Sequence, residues 1–280
     1  MLEDTIASRA APVSGAPVEE GRREVAFRGG GFLPTPNAIH SWIAFALVIG
    51  LWQVAVSQRW IDPVFLPSPV AICEALWSLA LSGDLWHHLS VSLARIGSGW
   101  MIGTGLGLIV GIGMGLSSAT RAVGMPMVSA IFPIPKIALL PLFILWLGIG
   151  ESPKVVTIAS GVFFPTVIAT FSGIDSVPRN LIRMGQSFNM PVSGIIWKIV
   201  LPSALPGILA GFRISMATAL LLVVTAEMIG AQFGIGAFLL TAGNLMQTDD
   251  LMAGVVILSI LGLSLGAILT ALEKAFLSWR

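Results

Sequence analysis

Three ionisable side chains, Lys136, Arg213 and Glu227, fall inside long apolar stretches, where an unpaired charge is costly and a paired or functional role is the default. Arg213 and Glu227 (227 − 213 = 14 positions) are close to four helical turns apart, so on one helix they face the same way at levels about 21 Å apart. They cannot pair with each other. Lys136 and Arg213 would give a pathway between such helices a cationic lining suited to an anionic solute, with Glu227 helping to close its outer end. The alternative is structural: each charge finds a carbonyl or an opposite charge on a neighbouring helix. Replacing Arg213 by Gln separates the two readings, because only the first expects uptake to fail while assembly survives.

Other chemistries lack their residues. A nucleotide-hydrolysing site needs a glycine-rich loop ending in Gly-Lys-Ser/Thr, and the four lysines follow Pro135, Pro153, Trp197 and Glu273. A membrane protease or transferase needs a nucleophile beside a base, or clustered metal ligands. His40, His87 and His88 fall outside the apolar segments, no Gly-x-Ser-x-Gly occurs, and the lone Cys73 can form neither an internal disulfide nor a thiolate cluster. His87 and His88 are adjacent and so point apart on a helix, with no third ligand nearby. No catalytic residue, metal or cofactor is expected on this chain. A net charge of +1 with scattered Lys and Arg also argues against nucleic-acid binding.

The elements that must hold these charges are membrane helices. Of 280 residues 55% are hydrophobic and 10% charged, with mean hydropathy +0.91, too little polar surface to cover a soluble globule. The expected fold is an all-α polytopic membrane protein with six transmembrane helices, at about 39–57, 94–116, 122–148, 154–173, 203–229 and 251–274. Residues 1–36, rich in Ala, Pro, Gly and charge, read as a disordered cytoplasmic tail. The first apolar run begins only near Ile39, too far in for a cleaved signal, and is read as a retained helix. Residues 37–88 are expected to hold the first span and an amphipathic helix along the outer surface, opened by Pro67 and Pro69 with Ile72, Leu76 and Leu79 on one face. Trp60, Trp77 and Trp86 suit an interfacial belt. Basic residues gather on one side, Arg121, Arg179, Arg183, Lys198 and Lys274 among them, so both termini are expected in the cytoplasm.

Within the core, 89–279, Gly99, Gly103, Gly107, Gly111 and Gly115 recur every fourth residue, a ridge on which another helix backbone can approach closely. Gly207, Gly211, Ser215 and Ala219 repeat the device in the fifth span. Pro126, Pro133, Pro135 and Pro141 interrupt the third span, which cannot be one regular helix and is expected to line a pathway. The segment 176–200 reads as two short helices hinged at Asn189, which tolerates a left-handed turn, after a start that Asp175 or Ser176 can cap. Exposed to the cytoplasm, it forms a docking knob for a partner.

Here the chain resembles the permeases of binding-protein-dependent ABC importers of the nitrate, taurine and alkanesulfonate type. The resemblance is carried by Leu66-Pro-Ser-Pro69, the run Pro133 to Gly150, Leu201-Pro-Ser-Ala-Leu-Pro-Gly-Ile-Leu-Ala-Gly-Phe-Arg213 and Ala226-Glu-Met-Ile-Gly-Ala231, and extends over nearly everything after residue 60. It implies a type I importer fold in a bacterial cell inner membrane, working as two permeases, two ATP-binding subunits that carry ATP, and a periplasmic or extracellular solute-binding protein. It also implies ATPase docking through 176–200, at Arg183, Met184, Gly185, Phe188, Asn189, Met190 and Pro191. The family's pattern there begins with an acidic residue where this chain has Arg183, and has glycine where it has Asn189. Asn189 keeps the turn chemistry, whereas Arg183 calls for a matched acidic site on the ATPase or leaves the complex poorly coupled. An ion-gradient-driven secondary transporter is the competing reading. Nitrate, taurine, other sulfonates and aromatic carboxylates all remain open as solutes.

Overall fold

The computed structural model describes residues 38–277, with side chains from residue 41, so the expected tail lies outside the described residues. A small unit ends at Ile49, and the main unit, to which everything below refers except the first turns of α1, runs from Gly50 onward. The described residues form eleven α-helices: α1 (Ala38–Ser57), α2 (Pro69–Ser82), α3 (Asp84–Leu116), α4 (Ser118–Ile131), α5 (Leu140–Leu147), α6 (Ser152–Asp175), α7 (Arg179–Ser187), α8 (Val192–Ile195), α9 (Leu201–Gly230), α10 (Ile235–Asn244) and α11 (Thr248–Phe276).

Four helices, α3, α6, α11 and the continuous Val192–Gly230, are long and apolar enough to cross a bilayer. A fifth crossing is broken, as its prolines require: α4 and the stretch Lys136–Leu147 meet at 85°. The packing shows why the two halves form one return. A methyl placed on Gly99, Gly103, Gly107, Gly111 or Gly115 would strike α6 at Ile158, Ala159 and Val162, Thr166, Thr170 and Ile174 in turn, so α3 and α6 run parallel. The chain between two parallel crossings must travel back, and 118–147 is the only stretch available. The described helices thus give four crossings, or five with the broken pair, and the sixth expected crossing falls on α1, an apolar helix of 20 residues.

The glycine ridge thus has a partner stripe, β-branched residues at 158, 162, 166, 170 and 174, whose stiff side chains fill the space the missing Cβ atoms leave. α9 crosses α6 in the opposite direction, with Gly207 against Gly173 and Gly211 against Ala169. Ser215 of this second ridge accepts a hydrogen bond from Trp100 Nε1 at 2.9 Å. The core cluster of Ile96, Ile158, Val162, Ala219 and Val223 sits where these three helices meet.

α2 matches its expected form. Ser68 Oγ accepts from Ala71 N at 3.1 Å, Pro69 opens the helix, and Ile72 is buried with Leu76 and Leu79 partly buried beside it. α3 starts ten residues before the expected span, at Asp84. This extra length carries Ser92 and Arg95 into the bundle.

Candidate functional site: two ends of one bundle

Glu227 is 1% exposed near the end of α9, and its carboxylate is satisfied from three directions. Arg95 Nη1 of α3 donates to Oε1 at 2.8 Å, Ser92 Oγ lies at 2.8 Å, and the Gly236 N–H donates to Oε2 at 2.9 Å. The loop that wraps the carboxylate depends on Gly234, at φ +125°, where a Cβ would collide with the carboxyl group itself. Arg95, 4% exposed, continues the network: Nη1 also donates to Phe233 O at 2.7 Å, and Nη2 donates to Glu151 Oε1 at 2.7 Å. Lys154 closes it, with Nζ 3.0 Å from Gly150 O and 3.3 Å from Glu151 Oε1. Glu151 lies in the loop before α6, outside the spans, and the Arg95 guanidinium holds its carboxyl down to about 2, against a smaller opposing effect of burial.

Glu227 sits inside the bundle as expected, and its partner is Arg95 of α3, which the sequence had not singled out. The signal was present: Arg95, one turn after Ser92, is the only Lys or Arg of α3. Arg213 meets an opposite charge on a neighbouring helix, as the structural alternative expects. It is about half exposed and paired with Glu273 of α11 at 2.5 Å, so it brings no unneutralised charge to a pathway. Lys136 and Arg213 are not brought together. Lys136 is buried at the break between α4 and α5, where Nζ donates to Ile131 O at 2.7 Å and Ile134 O at 2.9 Å and lies 4.5 Å from the Phe164 ring centre. Pro135 has no N–H to donate to Ile131 O four residues back, and the ammonium collects that carbonyl together with Ile134 O in the broken turn. The same lysine borders a 580 Å³ cavity with Phe132, Pro165, Ile168, Ile214 and Thr218.

At the other end of α6 and α9 stands the hinged segment. Asn189 takes φ +51°, the left-handed turn its residue type suggested. Met184 on α7 and Phe188 just past its end are exposed, followed by Val192 and Trp197, and Arg183 is exposed next to Met184. Gly185 is not on that surface: it is buried, and a Cβ there would meet Ile199 Cδ1 at 2.9 Å and Ile195 Cγ1 at 3.2 Å. Its role is to let α7 lie flat on the following helix. Met190 is likewise partly buried, packed against the cluster of Ile174, Val177 and Ile195, and Pro191 is exposed. The expected cap also differs. α7 begins without a side-chain cap, because Asp175 instead pairs with Arg121 at 2.8 Å and Ser176 Oγ donates back to Gly173 O. Residues 196–200 form a π-turn just ahead of Leu201-Pro202, where the ring of Pro202 removes one donor and crowds the carbonyl four residues earlier.

This fold, with its proline-broken return and hinged knob, has relatives. Residues 103–278 match the family described as binding-protein-dependent transport system inner membrane component. The chain belongs to that family. It is 37% identical over 235 residues to a putative aliphatic sulfonates transport permease of Bacillus subtilis, covering 84% of this chain and 85% of that one. It is 34% identical over 240 residues to the taurine transport system permease of Escherichia coli, covering 84% and 87%. Among solved structures, the MetNI methionine ABC transporter covers 70% of this chain and 95% of its own at TM-score 0.58 and 20% identity, a likeness of fold. The chain is thus a multi-pass permease subunit of a binding-protein-dependent ABC importer, built on the type I importer fold.

Proposed function

We propose that this permease imports a small organic anion, an aliphatic sulfonate or taurine, handed to it by an external binding protein and driven by ATP hydrolysed on a separate ATP-binding subunit. The observation that carries the coupling half is the exposed apolar face of Met184, Phe188, Val192 and Trp197 on the hinged segment, a surface that a lone chain has no reason to hold out. Val192–Gly230 is 39 residues long, about 58 Å by helix rise, against roughly 30 Å of hydrocarbon, so this face projects past the lipid. Docking there puts segment 176–200 and both termini in the cytoplasm, with the Arg95–Glu227 network at the outer end. The solute class follows the names of the sulfonate and taurine relatives. Lys136 beside the 580 Å³ cavity is the pathway cation, without Arg213. Two copies related by a two-fold axis, two ATP-binding subunits and one binding protein in a bacterial inner membrane complete the assembly.

Reconstitution tests it. Vesicles containing this chain and the ATP-binding subunit encoded beside it, with the binding protein on the outer face, should accumulate labelled taurine or ethanesulfonate only with ATP on the subunit's side. Uptake driven by an ion gradient through this chain alone would overturn the proposal.

A further inference from the structure

The two carboxylates on Arg95 are held in opposite ways. Glu227 is enclosed, with Arg95, Ser92 and the Gly236 amide around it and no room for another group. Glu151 is 61% exposed on the same guanidinium, which is itself 4% exposed. It grips the outward edge of Arg95 through both Nε and Nη2, the two-pronged geometry with which arginine holds any carboxylate or sulfonate. Glu151 precedes α6 and makes no capping bond to the helix it introduces, and it follows Gly148 at φ +80°. Among the described residues only the two cations bond its carboxyl group.

Of the two cations Lys154 borders space, and Arg95 is joined to it through Glu151. A 210 Å³ cavity lies against Leu140, Ile144, Pro153, Lys154 and Ala226, with Lys154 6% exposed at its wall. The charges sum to zero with Glu151 in place: Arg95 and Lys154 against Glu151 and Glu227. With Glu151 swung aside the site carries one net positive charge beside an apolar cavity of a size suited to a small organic anion. We infer that Arg95 and Lys154 form an anion-receiving site for the solute, and that Glu151 is a tethered carboxylate which occupies it until a sulfonate or carboxylate takes its place. The inference rests on the proposed anionic solute and adds the residues that receive it.

The test uses a thiol reporter in the cavity wall, Ala226→Cys in a Cys73→Ser background, in membranes carrying the whole assembly. Labelling by the anionic 2-sulfonatoethyl methanethiosulfonate is compared with labelling by its cationic trimethylammonioethyl analogue. Glu151→Gln should raise the anionic-to-cationic rate ratio about tenfold, Lys154→Gln should lower it, and free ethanesulfonate should slow the anionic reagent in both the parent and Glu151→Gln. If Ala226→Cys does not assemble, Ile144→Cys reads the same cavity. A ratio unchanged by Glu151→Gln, or labelling indifferent to ethanesulfonate, overturns the inference. ATP-driven sulfonate uptake by the parent assembly in the same membranes tests the underlying reading separately, so assemblies that transport but show no shift refute only the exchange.

Discussion

The two ends of this bundle treat polar groups in opposite ways. At the end holding Glu227, the charges of Arg95, Lys154, Glu151 and Glu227 are paired with one another, and two glycines shape the loop around one carboxylate. At the end holding α7 and α8, Arg179, Arg183 and Lys198 have no ion-pair partner among the described residues, no acidic residue occurs from 176 to 226, and Met184 and Phe188 stand exposed. One end is self-sufficient; the other is complete only when something binds it. A substitution at the first should therefore damage the fold, and one at the second should damage assembly while sparing the fold.

The largest effect is expected at Glu227. Glu227→Ala leaves Arg95 buried without its enclosed carboxylate, and breaking such a pair costs about 3–5 kcal/mol. Thermal unfolding of the purified permease in nanodiscs should show this as a large drop in Tm, and an unchanged Tm would erase the contrast between the ends. Phe188→Asp comes next. Phe188 is 76% exposed, so the stability of the isolated chain should stay within about 0.5 kcal/mol of the parent and its Tm should barely move. Truncating an aromatic anchor costs an interface about 2 kcal/mol or more, so co-elution with the ATP-binding subunit should fall at least tenfold.

A smaller effect separates the two acids on Arg95. The lowered pKa of Glu151 contributes stability that is present above its ordinary value of 4.5 and is lost as pH falls through about 2. Tm should thus be insensitive to Glu151 ionisation from pH 6 to 8, and below about pH 4 the parent should lose a stabilisation that Glu151→Gln never had. Smallest is Arg121→Ala, which removes a half-exposed pair with Asp175 worth about 0–1 kcal/mol. A Tm drop as large as that of Glu227→Ala would show that the inner end is not loosely held after all.

Much of this architecture was legible in the residues. The glycine ridge, the proline break, the hinge at Asn189 and the proline start of α2 each follow from backbone rules that act locally, whereas α3 begins ten residues before its expected span and Val192–Gly230 outruns its own. What the sequence did not disclose are pairings across distance. Arg95 meets Glu227 over 132 positions and Arg213 meets Glu273 over 60, and which helices are neighbours is decided by packing, not by spacing on one helix. Gly185 was misplaced for the same reason: its type suits a docking surface as well as a buried contact, and only the crossing of α7 over Ile195 and Ile199 decides between them. The β-branched stripe of α6 was hidden because its regularity has meaning only opposite the ridge of α3.

The central claim is that the self-sufficient end faces outward and the incomplete end receives the ATP-binding subunit. Phe188→Cys and Trp77→Cys, each in a Cys73→Ser background, place a cross-linkable thiol on an exposed side chain at one end and the other. In membranes holding the assembled importer, a bifunctional thiol reagent should join residue 188 to the ATP-binding subunit and leave residue 77 unjoined to it. Cross-linking of that subunit from residue 77, with none from 188, would contradict the account.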